Sequence, residues 1–199
     1  INLNCPIFLE KPPFLNLKEA EFYNQILHQR KIKVYIACNL RFHPCIEYLH
    51  KRIPMMISGV NEVNIYCGSY LPEWRPGREY KNIYSANREL GGGVHMDLYH
   101  EFDYTYWIFG KPCKSRAVLT SNSSLQINAV DYANYVFEYS TFSVSLILNY
   151  YRRLPKRSIE IIFENDIWTV DLLEAKIFNI NGEIIFQNQG YTMIDTYYR

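Results

Sequence analysis

The sequence predicts a short α/β segment followed by an α+β domain, whose large, open and mostly antiparallel sheet is covered by helices on one face. Three observations lead to this prediction. The front of the chain alternates strand, helix and strand, which is the unit of a parallel sheet. The middle holds a long loop and one strongly apolar helix. The remainder is a run of amphipathic strands separated by turn signals, which is typical of an antiparallel sheet.

The composition is that of a folded globular protein. The chain has 199 residues, of which 48% are hydrophobic and 21% charged, enough to build a core. A formal net charge of +1 removes the electrostatic argument for a nucleic-acid partner. No apolar run approaches the length of a membrane span, so we expect no membrane partner. Five widely spaced cysteines do not pair as zinc ligands and predict reduced thiols, hence a cytoplasmic protein.

Residues 1–40 are predicted to be the end of a doubly wound α/β domain. Apolar side chains recur at helical spacing over residues 17–30, between strands in the segments CPIFLEKP and KIKVYIACN. A complete dinucleotide-binding domain would open with a strand and a Gly-x-Gly-x-x-Gly turn, and the Gly91-Gly92-Gly93 run does not fit that pattern. We therefore expect the chain to belong to a longer polypeptide.

Residues 41–199 are predicted to form the α+β domain. Pro44 fits the first turn of a helix, residues 60–68 alternate as a strand, and residues 69–84 form a long loop rich in aromatic side chains. A single helix is predicted over residues 94–109, between the glycine run and Gly110. The later strands are predicted at 115–120, 132–138, 142–149, 158–163, 167–171, 176–180 and 183–187.

Three short segments carry candidate chemistry. Glu10, Lys11 and Pro12 follow the first strand, and the carboxyl ends of parallel strands face the ligand crevice of such sheets. Lys11 there could donate to a substrate hydroxyl, or it could be a solvated surface lysine. Arg41 follows the second strand, where it could hold a polyhydroxylated ligand or make only an ion pair.

The third segment contains Asp97 and His100, three residues apart in the predicted helix. That spacing is expected to place both side chains on one helical face, where the carboxylate would orient the imidazole for proton abstraction. Polar residues on the wet side of a helix are the structural alternative. A metal-dependent hydrolase using His95, Asp97 and His100 is a further alternative, although no additional ligand occurs at short range.

Together these segments resemble the glucose–fructose oxidoreductase/inositol dehydrogenase/rhizopine catabolism (Gfo/Idh/MocA) family. The resemblance rests on Glu-Lys-Pro, then Asn-Leu-Arg-Phe-His-Pro, then Gly-Gly-Gly-Val-His-Met-Asp-Leu-Tyr-His-Glu-Phe-Asp, in this order over residues 6–110. Many members place the histidine four residues after the aspartate; here the spacing is three, as in a subgroup with Asp-Leu-Ser-His-Glu.

The resemblance implies a Rossmann domain that binds NAD or NADP, of which residues 1–40 would be the end, and a substrate-binding and dimerisation domain over residues 41–199. Lys11, Asp97 and His100 would be the catalytic residues, and with Arg41 they would contact the substrate. Glu10, Lys11, Pro12, Trp74 and Arg75 would contact the cofactor. No metal site is implied.

The implied function is that of an NAD(P)-dependent oxidoreductase acting on a hydroxyl or carbonyl of a sugar, sugar derivative or cyclitol. The open sheet face would join the chain to a second copy. The chain alone is expected to be inactive without a nucleotide-binding half. The alternative from another class is a truncated, non-catalytic module that only dimerises through its sheet.

Overall fold

The computed structural model describes residues 5–14 and 16–197, which form two compact units. The first unit ends at Cys38 and the second begins at Asn39. Within the described residues, no helix is both long and apolar enough to cross a membrane.

The first unit is a strand–helix–strand arrangement, as predicted. Its elements are β1 (Ile7–Leu9), α1 (Leu17–Gln29) and β2 (Val34–Ile36). The two strands pair in parallel, with Ile7 opposite Val34. Asn16 caps α1, since its side-chain oxygen accepts a hydrogen bond from the Glu19 backbone N–H at 3.0 Å.

The second unit is built on one eight-stranded sheet. Its helices are α2 (Pro44–Met56), α3 (Val94–Asp97) and α4 (His100–Phe109). Its strands are β3 (Val60–Tyr70), β4 (Lys114–Thr120), β5 (Tyr132–Glu138), β6 (Ser143–Asn149), β7 (Tyr151–Phe163), β8 (Ile167–Asp171), β9 (Lys176–Phe178) and β10 (Ile184–Gln187). The strand order is β10-β9-β8-β7-β3-β6-β5-β4, and every neighbouring pair is antiparallel except β3 with β6.

The core lies on one face of this sheet because the side chains alternate along its strands. Val144, Leu146 and Leu148 of β6 are fully buried, whereas the residues between them are partly exposed. On α2, Ile46, Leu49 and other buried positions form a single stripe towards the core. The opposite face of the sheet is open, as the alternation predicts.

The start of α2 is fixed by two neighbouring residues. Pro44 occupies the first turn, where its missing N–H costs no hydrogen bond. His43 is the N-cap, and its Nδ1 accepts a hydrogen bond from the Cys45 backbone N–H at 3.1 Å.

The prediction of a single helix over residues 94–109 is wrong, because the structure has two helices there, α3 and α4. Leu98 leaves the helical region with φ −94° and ψ 39°. Leu98, at the break, and Glu101, in the first turn of α4, are both buried. Asp97 therefore ends one helix and His100 begins the next, and the two do not share a face of one helix.

Strand β7 begins at Tyr151, seven residues before the predicted start at 158. Its first half is exposed and shows no clear alternation. Gly68 pairs with Lys156 but Tyr70 pairs with Tyr151, so β7 bulges away from β3 between these two pairs. The bulge breaks the period of two on which the prediction depended.

Candidate active site

The predicted residues of the first unit lie at the carboxyl end of its parallel strands. Glu10, Lys11 and Pro12 follow β1 directly, and the Lys11–Pro12 peptide bond is cis. The connection from β1 to α1 contains no glycine. This unit therefore offers the strand-end position for a ligand but not the glycine turn that cradles a pyrophosphate.

In the second unit, Asp97 lies between two tyrosines. Its Oδ1 accepts a hydrogen bond from the Tyr84 hydroxyl at 2.8 Å, and its Oδ2 accepts one from the Tyr150 hydroxyl at 2.5 Å. Both oxygens of the carboxylate thus receive an O–H donor, and hydrogen bonds to an ionised acceptor are among the stronger ones in proteins. The two tyrosines hold the carboxylate at the end of α3.

Tyr150 is the buried member of this group. Its ring is fully buried and packs edge-on against Trp74, with the ring centroids 5.3 Å apart. Its backbone N–H donates to the Asp131 carbonyl at 3.0 Å, and its carbonyl accepts from the Leu71 N–H at 2.8 Å. Burial, and after it the Asp97 carboxylate, raises the pKa of Tyr150 well above its ordinary value. The Tyr150 hydroxyl therefore keeps its proton and donates it to Asp97.

Tyr84 is the exposed member and projects from the long loop. Its side chain is 44% exposed, and the Arg75 guanidinium carbon lies 5.3 Å above its ring centroid. Burial of its inner part raises the pKa of Tyr84, the hydrogen bond to Asp97 adds to this, and the Arg75 charge opposes it. We call Asp97, Tyr84 and Tyr150 the Asp97 group. Trp74 and Arg75, the predicted cofactor contacts, both touch it, since Trp74 packs against Tyr150 and Arg75 lies over Tyr84.

The glycine run is required by close packing against this loop. A Cβ on Gly92 would lie 2.1 Å from the Tyr84 carbonyl oxygen and 2.7 Å from the Ser85 carbonyl oxygen, both backbone atoms that cannot move aside. Gly93 has φ +138°, which side-chain-bearing residues rarely adopt. The glycines let α3 start directly against the loop that carries Tyr84.

His100 is half-buried at the first position of α4, on the other side of the helix break from Asp97. His95 is half-buried on α3, and burial lowers its pKa while Asp97 opposes the shift. Among the described residues, no group of three or more His, Cys, Asp or Glu side chains could hold a metal ion. The described residues therefore contain no metal-ligand set of the kind that the metal-dependent hydrolase alternative requires.

A buried ion pair fixes the first turn of α4. Arg157 Nε of β7 lies 2.6 Å from Glu101 Oε1, and the Glu101 side chain is fully buried. Burial, with the Glu101 charge as the second cause, raises the pKa of the neighbouring Cys67 thiol above its ordinary range. The pair attaches the residue next to His100 to the centre of the sheet.

Arg41 makes an ion pair, one of the two possibilities that the sequence leaves open. Its Nε and Nη2 donate to the two carboxylate oxygens of Asp103 at 2.8 Å and 2.6 Å. Its guanidinium also lies over the Trp107 ring, 5.4 Å from the centroid. This bidentate contact favours the structural alternative for Arg41.

Sequence reasoning missed Tyr84, Tyr150 and the Glu101–Arg157 pair. The chain has 18 tyrosines, and nothing in their spacing separates these two from the rest. The position of Tyr150 directly after a predicted strand is the one available signal, because residues at strand ends often line sites.

Comparison with known families places part of the chain in an oxidoreductase family. The model of an oxidoreductase family's C-terminal α/β domain matches residues 60–160. That range runs from the first residue of β3 into β7, so it contains the long loop, both short helices and the Asp97 group. Comparison with curated proteins gives no match.

Several solved structures share the fold at low sequence identity. UDP-N-acetylglucosamine 3-dehydrogenase GnnA from Acidithiobacillus ferrooxidans is 20% identical with a TM-score of 0.69, over 92% of this chain and 56% of that one. An inositol dehydrogenase homologue complexed with NAD⁺ from Azotobacter vinelandii is 16% identical with a TM-score of 0.71, over 94% and 49%. An oxidoreductase from Pseudomonas syringae is 14% identical with a TM-score of 0.72, over 96% and 52%. The chain spans about half the length of these structures.

Proposed function

Because the chain belongs to the Gfo/Idh/MocA oxidoreductase family, we propose that the protein transfers a hydride between NAD or NADP and a hydroxyl-bearing carbon of a sugar, sugar derivative or cyclitol. The observation that carries this proposal is the Asp97 group, in which an aspartate after a packed glycine run is held by two tyrosines, with His100 three residues beyond. The solved structures with this fold include an enzyme named for a nucleotide sugar and one named for inositol, which supports this substrate class.

His100 is proposed to take the proton of the substrate hydroxyl during oxidation and to return it during reduction. An imidazole suits this step because its ordinary pKa lies close to neutral pH. Asp97 is the orienting carboxylate, and Lys11 positions the hydroxyl from the first unit. Each role carries over from the family resemblance to the matching residue of this chain.

The cofactor fits this chain only in part. From the family resemblance, Glu10, Lys11 and Pro12, which follow β1, are proposed to contact its nicotinamide end, and so are Trp74 and Arg75 of the loop over residues 69–84. The glycine turn for its pyrophosphate does not occur between β1 and α1. When bound, the cofactor supplies the hydride acceptor and donor, and the protein supplies placement and proton transfer. Five cysteines at wide, irregular spacings support a cytoplasmic location.

The open face of the sheet is proposed to bind a second copy of the chain. A shallow cavity of about 430 Å³ on this face is lined by residues that include Asn64, Tyr66 and Lys156. Glu62 lies towards one end of this face and Lys156 towards the other. Two copies with antiparallel strands would bring these opposite charges together. Light scattering should give a dimer, and a clean monomer at tens of micromolar would contradict the proposal.

The function is tested by measuring hydride transfer at the nicotinamide absorbance band with the native full-length polypeptide. NAD⁺ and NADP⁺ are each offered with myo-inositol, D-glucose and UDP-N-acetylglucosamine. We expect turnover with one pair, and a loss of about 10²–10⁴-fold in His100→Ala at unchanged thermal stability. Wild-type turnover in that variant would remove His100 from the mechanism. No turnover with any pair would favour the non-catalytic dimerisation module.

A further inference from the structure

The break between α3 and α4 makes the direction of the Asp97 carboxylate depend on other elements. In a continuous helix, a spacing of three residues would set the Asp97 side chain beside that of His100. Here Leu98 interrupts the helix with φ −94° and ψ 39°, so no single helix relates the two side chains. The hydrogen-bond donors that reach Asp97 from outside α3 and α4 therefore decide where its carboxylate points.

The Tyr150 hydroxyl is such a donor, and it has one hydrogen-bond arrangement. Its proton is donated to Asp97 Oδ2 at 2.5 Å, and its oxygen accepts a hydrogen bond from the Gly93 backbone N–H. A backbone N–H can only donate and an ionised carboxylate can only accept, so the O–H bond cannot be reversed. The hydroxyl thus links Asp97 to Gly93, the residue that precedes α3.

The rest of Tyr150 is fixed as well. Its side chain is fully buried, and its ring packs edge-on against Trp74. Trp74 is itself held, because its Nε1–H donates to Ser69 Oγ at 2.9 Å. The backbone of Tyr150 is hydrogen-bonded to Asp131 through its N–H and to Leu71 through its carbonyl. A buried donor fixed at both its ring and its backbone can hold a carboxylate in one direction.

Tyr84 is the less constrained of the two donors. Its side chain is 44% exposed, so water can replace its hydrogen bond to Asp97. The Ser85 side chain also hydrogen-bonds the Tyr84 hydroxyl. Of the two tyrosines, Tyr150 therefore has the stronger effect on the direction of the carboxylate.

We propose that Tyr150 is the positioning residue of Asp97, setting the direction of the carboxylate and, through it, the orientation of His100 during hydride transfer. The inference rests on the proposed function and adds a residue outside the three segments that carry the family resemblance. Tyr150 acts through Asp97 in this role. Removing its hydroxyl should therefore lower kcat and leave KM for the substrate unchanged.

The test is a double-mutant cycle in the native full-length polypeptide, with the cofactor and substrate that give turnover in the panel above. Tyr150→Phe should lower kcat about tenfold, the effect of one lost hydrogen bond to a charged group. In an Asp97→Ala background the same substitution should change kcat by less than about twofold, because the carboxylate that Tyr150 orients is gone. All samples contain sucrose, which favours the folded state, and kcat is expressed per folded molecule from thermal unfolding curves.

Tyr104→Phe is the matched control. Tyr104 is a fully buried tyrosine of α4 whose hydroxyl has no hydrogen-bond partner among the described residues. This variant loses the same oxygen atom from a buried ring and should keep the wild-type kcat and KM. Tyr84→Phe, at a half-exposed position where folding should be unaffected, should lower kcat less than Tyr150→Phe does, and again only while Asp97 is present.

The outcomes separate this inference from the proposed function. An equal fall of kcat for Tyr150→Phe with and without Asp97 would mean that the substitution disturbs the fold, and the inference would fail. Wild-type kcat in Tyr150→Phe, or a larger loss in Tyr84→Phe, would also overturn it while leaving the oxidoreductase function intact. Absence of hydride transfer by the wild-type protein overturns the function and this inference with it.

Discussion

Acidification should destabilise the second unit through His43. The imidazole is fully buried, its Nε2–H donates to the Leu172 carbonyl at 2.9 Å, and its Nδ1 accepts from the Cys45 N–H. Burial lowers the pKa of His43 from 6.5 to about 4, the hydrogen bond to Leu172 partly opposes this, and the Arg157 charge adds to it. Protonation would also place a donor on Nδ1 and break the cap of α2.

The sign follows from the lowered pKa of the folded state. Above about pH 6.5 neither state binds the proton, and the stability is fully present. As the pH falls from there through about 4, the unfolded chain takes up a proton that the folded chain excludes. The difference between pKa values of 6.5 and about 4 corresponds to about 3 kcal/mol in total, of which about 2 kcal/mol is lost by about pH 5.

The assay is urea unfolding, followed by tryptophan fluorescence at a series of pH values, for wild type and His43→Asn. Asparagine does not titrate, and its side-chain oxygen can still accept from the Cys45 N–H. The free energy of unfolding of wild type should fall by about 2 kcal/mol more than that of the variant between about pH 7 and about pH 5. His28→Asn, at an exposed position of α1, should behave as wild type. Parallel pH curves for wild type and His43→Asn would refute the reasoning.

Three further predictions concern the site and its support. Arg157→Met should lower the free energy of unfolding by about 3–5 kcal/mol, because it leaves the buried Glu101 charge alone, and adding Glu101→Gln should restore most of it in urea unfolding. Gly92→Ala should cost at least about 2 kcal/mol by the same measurement, since its Cβ would meet the backbone of the site loop. In steady-state kinetics of the full-length polypeptide, Asp97→Asn should lower kcat less than His100→Ala does, and Lys11→Ala should impair both kcat and KM.

The sequence alone predicts those parts of the fold in which a local pattern of residues determines the structure. The bounds of β5 and β8 are the predicted ones, and in β8 buried side chains alternate with more exposed ones, as in a half-buried strand. The Asn181-Gly182 hairpin is also confirmed, with Gly182 at φ +77°. The parallel pairing of β1 with β2 followed from the helix between them.

Where a tertiary contact decides the outcome, the sequence was not sufficient. Glu101, in the first turn of α4, pairs with Arg157, a residue on a strand 56 positions away, and no local pattern of the sequence predicts that contact. The partners of Asp97 come from a loop and from the residue after β6, and neither carries a spacing signal. The candidate residues themselves were predictable, but the tyrosines around them were not.

The parallel pairing of β3 with β6 has a consequence for folding. These two strands are neighbours at the centre of the sheet, yet residues 71–142 lie between them in the chain and include Tyr84 and Asp97. Closing a connection of that length costs chain entropy that is recovered only when the central strands join, so folding should be slow and cooperative. The sheet and the site are then completed in the same event, and a variant that loosens either one should lower the fraction of molecules that hold both.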